Sequence, residues 1–371
     1  MQQSLAIGRT TIVNIQLRST IRPKPYAMPL PSFKVHFGGP DRPGALRDLL
    51  SARVAATPVS GSIDWVTYYF RDRPLAGDLA SARARGVQVA VTMEARPRAT
   101  QANRAVIDRL SPPEALGAGL RPLQMFKQRL HEKIYCFSHP VPTAFVGSFN
   151  PSADSPEEFP DIVSEIGDHR VAHNLLVEIR DPRLVHCLLE HARSLHRNGP
   201  WLPLGLGPRA VRDCDIGDTQ LHFWPRFGAH PVERLLKRYG AGSRVRIAAS
   251  HISNRASVAC LRRLARRGAN IEIAAEHTER RVPRAVELQL AREGIAFTRL
   301  GADANVPMHL KFVLLENSEG RHAVFGSFNW TAQAYWLNHE LAVITRDDDV
   351  FEALDRHWTT LRQPSPERGQ P

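Results

Sequence analysis

The sequence predicts an α/β fold of two pseudo-symmetric lobes, each a mixed β-sheet flanked by helices, sharing one central active site. Three observations carry that expectation. First, a His-x-Lys that opens an apolar run and a Gly-Ser-Phe-Asn that closes the next one occur twice. One copy is His131-Glu132-Lys133 with Gly147-Ser148-Phe149-Asn150; the other is His309-Leu310-Lys311 with Gly326-Ser327-Phe328-Asn329. Second, the copies keep their spacing, 178 residues from His to His and 179 from Asn to Asn. Third, a strand–helix–Arg-Gly–strand order precedes each copy, with Arg85-Gly86 and Arg267-Gly268 offset by 182.

Residues 1–34 carry Pro23, Pro25, Pro29 and Pro31 without periodicity and read as a flexible arm. The first repeat, 35–197, opens with helix-like Ala45–Ala55 and the aromatic, strand-like Ile63–Phe70. Leu75–Ala84 follows as a helix with Gly86 at its C-cap, then Val87–Val91 as a short buried strand. Ile134–Phe137, a Pro-rich turn and Ala144–Val146 make a β-hairpin. Leu175–Asp181 leads into a helix ending near Leu195. Residues 198–218, rich in Gly and Pro, read as a connecting loop. The second repeat, 219–362, matches element for element: Val245–Ala249, Ala256–Arg267, Ile271–Ala275, the hairpin Phe312–Leu315 with His322–Phe325, and Leu341–Asp347 before a last helix. Residues 363–371 read as a disordered tail.

Length and composition are those of an ordinary globular chain with room for two domains or one duplicated one. A net charge of +12 favours anionic partners: nucleic acid, an anionic membrane surface or a phosphorylated substrate. Cys136, Cys187, Cys214 and Cys260 show no CxxC spacing, so neither a zinc site nor a disulfide framework is expected. No apolar run reaches 18 residues and no signal peptide is evident. The expected setting is the cytoplasm, with peripheral membrane contact compatible with the charge.

Alternation along a strand turns residues i and i+2 to one face, so His131 and Lys133, and likewise His309 and Lys311, point together. Each hairpin then ends on a hydroxyl and a carboxamide. A lone His in an apolar strand is more often structural than catalytic. Two equivalent copies packed about a pseudo-twofold axis instead surround one anion with two imidazoles, two ammoniums and two amides. That set suits phosphodiester cleavage. Lys133, Lys311, Asn150 and Asn329 bind the non-bridging oxygens, one imidazole attacks phosphorus, and the other protonates the leaving oxygen. No metal or cofactor is required.

The doubled pattern resembles the phospholipase D superfamily over most of residues 35–361. The second copy is the closer match, with Gly326-Ser327-Phe328-Asn329-Trp330-Thr331 and the downstream Asn338-His339-Glu340. The resemblance implies two α/β lobes, one shared site and a phosphohistidine intermediate. It casts His131 as nucleophile, His309 as acid/base, and Glu340 as the carboxylate that hydrogen-bonds an active-site His. Ser148, Ser327 and Trp330 are the expected substrate-binding residues. Two departures stand out. The acid often found seven residues after each His is Ser138 in one copy and Glu316 in the other. The first copy also lacks the Asn-x-Glu, with Ala172 and Asn174 opposite Asn338 and Glu340, which leaves Glu165 or Asp168 as candidate carboxylates.

Two motifs in a chain of this length resemble the lipid enzymes of the superfamily, which implies a phospholipid substrate with hydrolysis or phosphatidyl transfer; Gly326–Thr331 resembles its nuclease-type members, and a metal-independent nuclease is the alternative. A degenerate anion-binding module is a third reading. Trp65, Tyr68, Tyr69 and Phe70, and Trp330, Tyr335 and Trp336, suit a lipid interface, base stacking or a core. With both motifs in one chain, a monomer is expected to be active.

Overall fold

The computed structural model describes residues 32–152, 172–199, 213–226, 228, 230–301 and 306–362. Strands β1 (Phe33–Gly38), β2 (Ser62–Thr67), β3 (Gln88–Glu94), β4 (Leu120–Leu123), β5 (Ile134–Phe137), β6 (Thr143–Gly147) and β7 (Asn174–Ile179) form one sheet. Its order is β1-β7-β6-β5-β2-β3-β4. A second sheet holds β8 (Cys214–Ile216), β9 (Thr219–Phe223), β10 (Arg244–Ala249), β11 (Asn270–Glu276), β12 (Ala296–Leu300), β13 (Lys311–Asn317), β14 (Gly320–Gly326) and β15 (Leu341–Thr345). Its order is β12-β11-β10-β13-β14-β15-β9-β8. The two orders correspond strand for strand, β4 with β12 through to β1 with β9, and β8 is an addition at the edge. In both, the first three strands of that series pair in parallel and the rest antiparallel. The expected pair of mixed sheets is present.

The described helices are α1 (Ala45–Ala56), α2 (Arg73–Ala84), α3 (Arg104–Leu110), α4 (Pro182–Asn198), α5 (Pro231–Leu236), α6 (Arg255–Arg266), α7 (Arg284–Ala291), α8 (Ala332–Trp336) and α9 (Asp348–Arg362). On α1, Leu46, Leu50 and Val54 recur every fourth residue and are buried, which makes one apolar stripe. Helices α2 and α6 start alike: Asp72 accepts a hydrogen bond from the Leu75 N–H, and Asn254 accepts one from the Ala256 N–H. Helices α1 to α3 cover the outer face of the first sheet and α5 to α7 that of the second.

The inner faces of both sheets meet in one core. Ile134, Val146 and Val177 from the first join Phe312, Phe325 and Val343 from the second, with Leu188 and Leu195 of α4 and Leu354 and Trp358 of α9 among them. The two repeats are halves of one hydrophobic unit. Leu188 and Leu354 are fully buried, so truncating either to Ala costs on the order of 2–5 kcal/mol.

The structure corrects several expectations. Ile63–Phe70 is a strand only to Thr67; Tyr68–Phe70 form a buried loop. Strand β1 begins at Phe33, inside the stretch 1–34 read as an arm. Part of the supposed connecting loop, Cys214–Ile216, is strand β8, which pairs with β9. Cys187 on α4 and Cys214 on β8 form a disulfide, against the expectation of free thiols; Cys136 and Cys260 are free and buried. Spacing could not reveal that bond, because only the packing of β8 against α4 brings the two cysteines together. Residues 1–31, Glu165, Asp168 and 363–371 lie outside the described residues.

Candidate active site

Both motif strands emerge at the seam between the lobes, and each runs beside a strand of the other repeat. The His131 N–H donates to the His339 carbonyl at 2.9 Å, and the His309 N–H donates to the His173 carbonyl at 3.0 Å. Short parallel bridges, Leu130 with His339 and His173 with Met308, mark both crossings. Two buried carboxylates hold the approaches equivalently, Glu94 accepting from the Leu130 N–H and Glu276 from the Met308 N–H.

The crossing decides which side chain orients which imidazole. Glu340, at the start of β15 in the second lobe, accepts from Nδ1 of His131 in the first, 2.9 Å away. Asn174, at the start of β7 in the first lobe, offers its Oδ1 to Nδ1 of His309 in the second at 2.8 Å. A carboxylate oxygen and an amide oxygen only accept, so Nδ1 carries the proton in both rings and Nε2 keeps its lone pair. The supports behind them match. Ser327 Oγ donates to Glu340 at 2.5 Å and Ser148 Oγ donates to Asn174 at 3.0 Å, while each hydroxyl accepts a backbone N–H, from Leu341 and Leu175. The preceding glycines let these strands close up: a Cβ on Gly147 or Gly326 would lie 2.2 Å from the carbonyl oxygen of Leu175 or Leu341. The two residues that orient the imidazoles differ by one charge.

That charge shapes the titration of the site. Burial pushes the His131 imidazole below its ordinary pKa, and the Glu340 carboxylate partly opposes this. Burial drives His309 further down, and Lys311, Lys133 and Arg281 all add to the depression. Burial also lowers the Lys133 ammonium to about 7, against the pull of Glu340 and Glu132. Lys133 donates to the His131 carbonyl at 2.5 Å and Lys311 to the His309 carbonyl at 2.8 Å. Asn150 takes the Tyr69 N–H on its Oδ1 and leaves its buried NH2 without a partner among the described residues. An oxyanion placed there gains donors that are already fixed.

The sequence matches the family described as "Cardiolipin synthase, PLD-like domain" twice, over residues 56–181 and 236–361. The chain belongs to that family. Among solved structures, this phospholipase D-like chain is similar to a polyphosphate kinase from Porphyromonas gingivalis, at 13% identity and a TM-score of 0.62. That match covers 91% of this chain but only 53% of the kinase, about half its length. It is also similar to a phosphatidylserine synthase from Haemophilus influenzae, at 12% identity and a TM-score of 0.59, over 88% of this chain and 85% of that one. The phospholipase D family member Nuc from Salmonella typhimurium matches at 22% identity over 44% of this chain and 93% of Nuc, with a TM-score of 0.33. A comparison with curated proteins finds no match.

Within this phospholipase D-like chain, His131, Lys133, Asn150, His309, Lys311, Asn329 and Glu340 all come from strand ends or turns, and His131, Lys133, His309, Lys311 and Glu340 meet at the seam. Three expected substrate contacts have other employment. The hydroxyls of Ser148 and Ser327 hold Asn174 and Glu340, and Trp330 is 4% exposed in the core of the second lobe. The two positions seven residues after each His lie away from the chemistry. Glu316, near the far end of β13, pairs with the buried Arg246 at 2.5 Å. Ser138 accepts the Ser62 N–H.

One residue escaped the sequence reading, His251, and another, Tyr68, was read only as one of a row of aromatics. The Tyr68 ring packs edge-on at 5.0 Å from His131 and lies 5.4 Å from Lys133 Nζ. His251 feels the fields of Lys311 and His131, and its Nδ1 sits 3.0 Å from Ser250 Oγ. The signal for His251 was present, since it stands 182 residues after Tyr69, at the offset of the Arg-Gly pairs.

Proposed function

We propose that the chain is a phosphodiesterase of phospholipase D type that acts on phospholipids, by hydrolysis or phosphatidyl transfer, through a phosphohistidine on His131. The family description favours a lipid. The observation that carries the division of roles is the unequal pairing, Glu340 with His131 and Asn174 with His309.

Attack by His131 Nε2 on phosphorus leaves a positively charged phosphoimidazole, which the adjacent carboxylate stabilises. His309, beside a neutral amide and two ammoniums, becomes a strong acid once protonated, which suits donation to a poor alkoxide leaving group. As the P–O bond breaks, that oxygen takes the His309 proton. Water or an alcohol then gives its proton to His309 Nε2, attacks phosphorus, and returns the bonding pair to His131. Lys133, Lys311 and the Asn150 NH2 hold the non-bridging oxygens throughout.

The test is headgroup release from phosphatidylglycerol vesicles by the full chain in EDTA, with quenched samples assayed for phosphohistidine. Label and turnover are expected in the wild type, and neither in His131→Ala. Label surviving in His131→Ala and vanishing in His309→Ala would reverse the roles. Cleavage of DNA or RNA with no lipid turnover would make it a nuclease, and anion binding with no label at all an anion-binding module.

A further inference from the structure

We propose that the chain docks on anionic bilayers through a small apolar rim, Phe126, Trp336 and Leu337, beside its active site; this rests on the lipid reading above. These are among the few large apolar side chains that stand clear of the protein, Phe126 at 85%, Trp336 at 53% and Leu337 at 36% exposure.

The crossing that builds the site also gathers them. The His339 N–H donates to the Arg129 carbonyl at 2.8 Å, and Leu130 bridges His339 in parallel. Phe126 lies three residues upstream of Arg129 and Trp336 three residues upstream of His339, so each is tied to that pairing by a short stretch of chain. Three residues reach at most about 11 Å, and five bring Phe126 within roughly 18 Å of His131.

Their exposure belongs to anchored backbone. Met125 and Gln128 are buried on either side of Phe126, and Tyr335 and Asn338 flank Trp336 and Leu337 in the same way. Lys127 adopts a left-handed φ of 58°, rare for a residue with a side chain, and its ammonium sits 5.1 Å from the Phe126 ring. Three side chains are too few for a stable protein interface, which buries roughly 800 Å² per partner. Exposed aromatic and aliphatic side chains on two tied segments, with Lys127 and Arg129 alongside and a chain of net charge +12, instead fit insertion at the headgroup level of an anionic surface. Leu337 offers nothing for base stacking.

The experiment compares the wild-type chain with Phe126→Ser/Trp336→Ser in sedimentation with phosphatidylcholine vesicles, with and without phosphatidylglycerol. Turnover of a monomeric short-chain phosphatidylglycerol is measured in parallel. The wild type is expected to bind the anionic vesicles and the double variant to bind at least tenfold more weakly, with monomer turnover within twofold. No vesicle binding by the wild type, or equal binding by both proteins, overturns the docking surface, as does selective loss of single-stranded DNA binding in the variant. Monomer turnover tests the lipid reading separately, so failure of one is distinguishable from failure of the other.

Discussion

Replacing Glu340 by Gln removes one negative charge yet leaves an oxygen that accepts the proton of His131 Nδ1. The tautomer is retained, so the variant isolates the electrostatic part of the pairing. A hydrogen bond to a charged group contributes about 1.5–3 kcal/mol and a neutral one about 1 kcal/mol. Glu340 is fully buried and His131 is nearly so, at 12% side-chain exposure, so solvent screens little of the difference. With the cationic phosphoimidazole as the group it faces, the loss comes to roughly 0.5–2 kcal/mol, a fall of about 2- to 30-fold in kcat. The assay is turnover of paired substrates with alkyl and p-nitrophenyl leaving groups. On the proposed roles Glu340 serves the nucleophile, so its defect should persist with both. Asn174→Ala should behave oppositely, slowing the alkyl substrate strongly and the p-nitrophenyl one little, since a good leaving group needs no proton from His309. A Glu340→Gln defect that disappears with p-nitrophenyl refutes the assignment, and so does an effect below twofold on both.

Inorganic phosphate or vanadate should bind more tightly as pH falls from about 8 to 6. Burial keeps the empty site's imidazoles and Lys133 poor at holding protons, and a bound anion raises their pKa values; calorimetry in buffers of different ionisation enthalpy should show proton uptake. Gly326→Ala should destabilise by at least about 1–3 kcal/mol in chemical denaturation, because its Cβ meets the Leu341 carbonyl and its φ is 146°. Cys187→Ser should cost about 3–4 kcal/mol by releasing a bond between residues 27 apart, and dithiothreitol should lower the wild-type Tm similarly; an unchanged Tm in both would refute the cross-link. Burial raises the Glu178 carboxyl, but His36, Arg180 and Arg53 outweigh it and hold the pKa at about 2. The resulting stability, at most about 3 kcal/mol, should be complete above pH ~4.5 and lost as pH falls towards 2, and Glu178→Gln should remove that dependence.

Much of the fold was legible because duplication repeats each local signal. The Arg-Gly pairs, the two hairpins and the paired strands at Leu175–Asp181 and Leu341–Asp347 recur in the same order, and each is a strand or a cap in the structure. Lobe packing was not legible. Alignment set Asn174 opposite Glu340 but could not say that each orients the histidine of the other repeat, and it made Asn174 look like a loss. An amide oxygen accepts the same Nδ1 proton that a carboxylate accepts. The roles of Ser148 and Ser327 were hidden likewise, because a hydroxyl beside a catalytic His reads the same whether it faces substrate or its neighbour. Trp330 suits a lipid interface, base stacking or a core in the sequence alone, and the core of the second lobe encloses it.

The pairing of Glu340 and Asn174 also bears on why both motifs share one chain. Two identical subunits about a twofold axis must present the same residue on both sides, so a change that suits the nucleophile is imposed on the acid as well. Here the two positions lie on different stretches of one polypeptide and have come to differ by a charge. The rest of the frame, from the serines to the carboxylates on Leu130 and Met308, keeps its twofold likeness. Such a molecule specialises each imidazole separately while a common scaffold holds both, a freedom closed to any symmetric dimer.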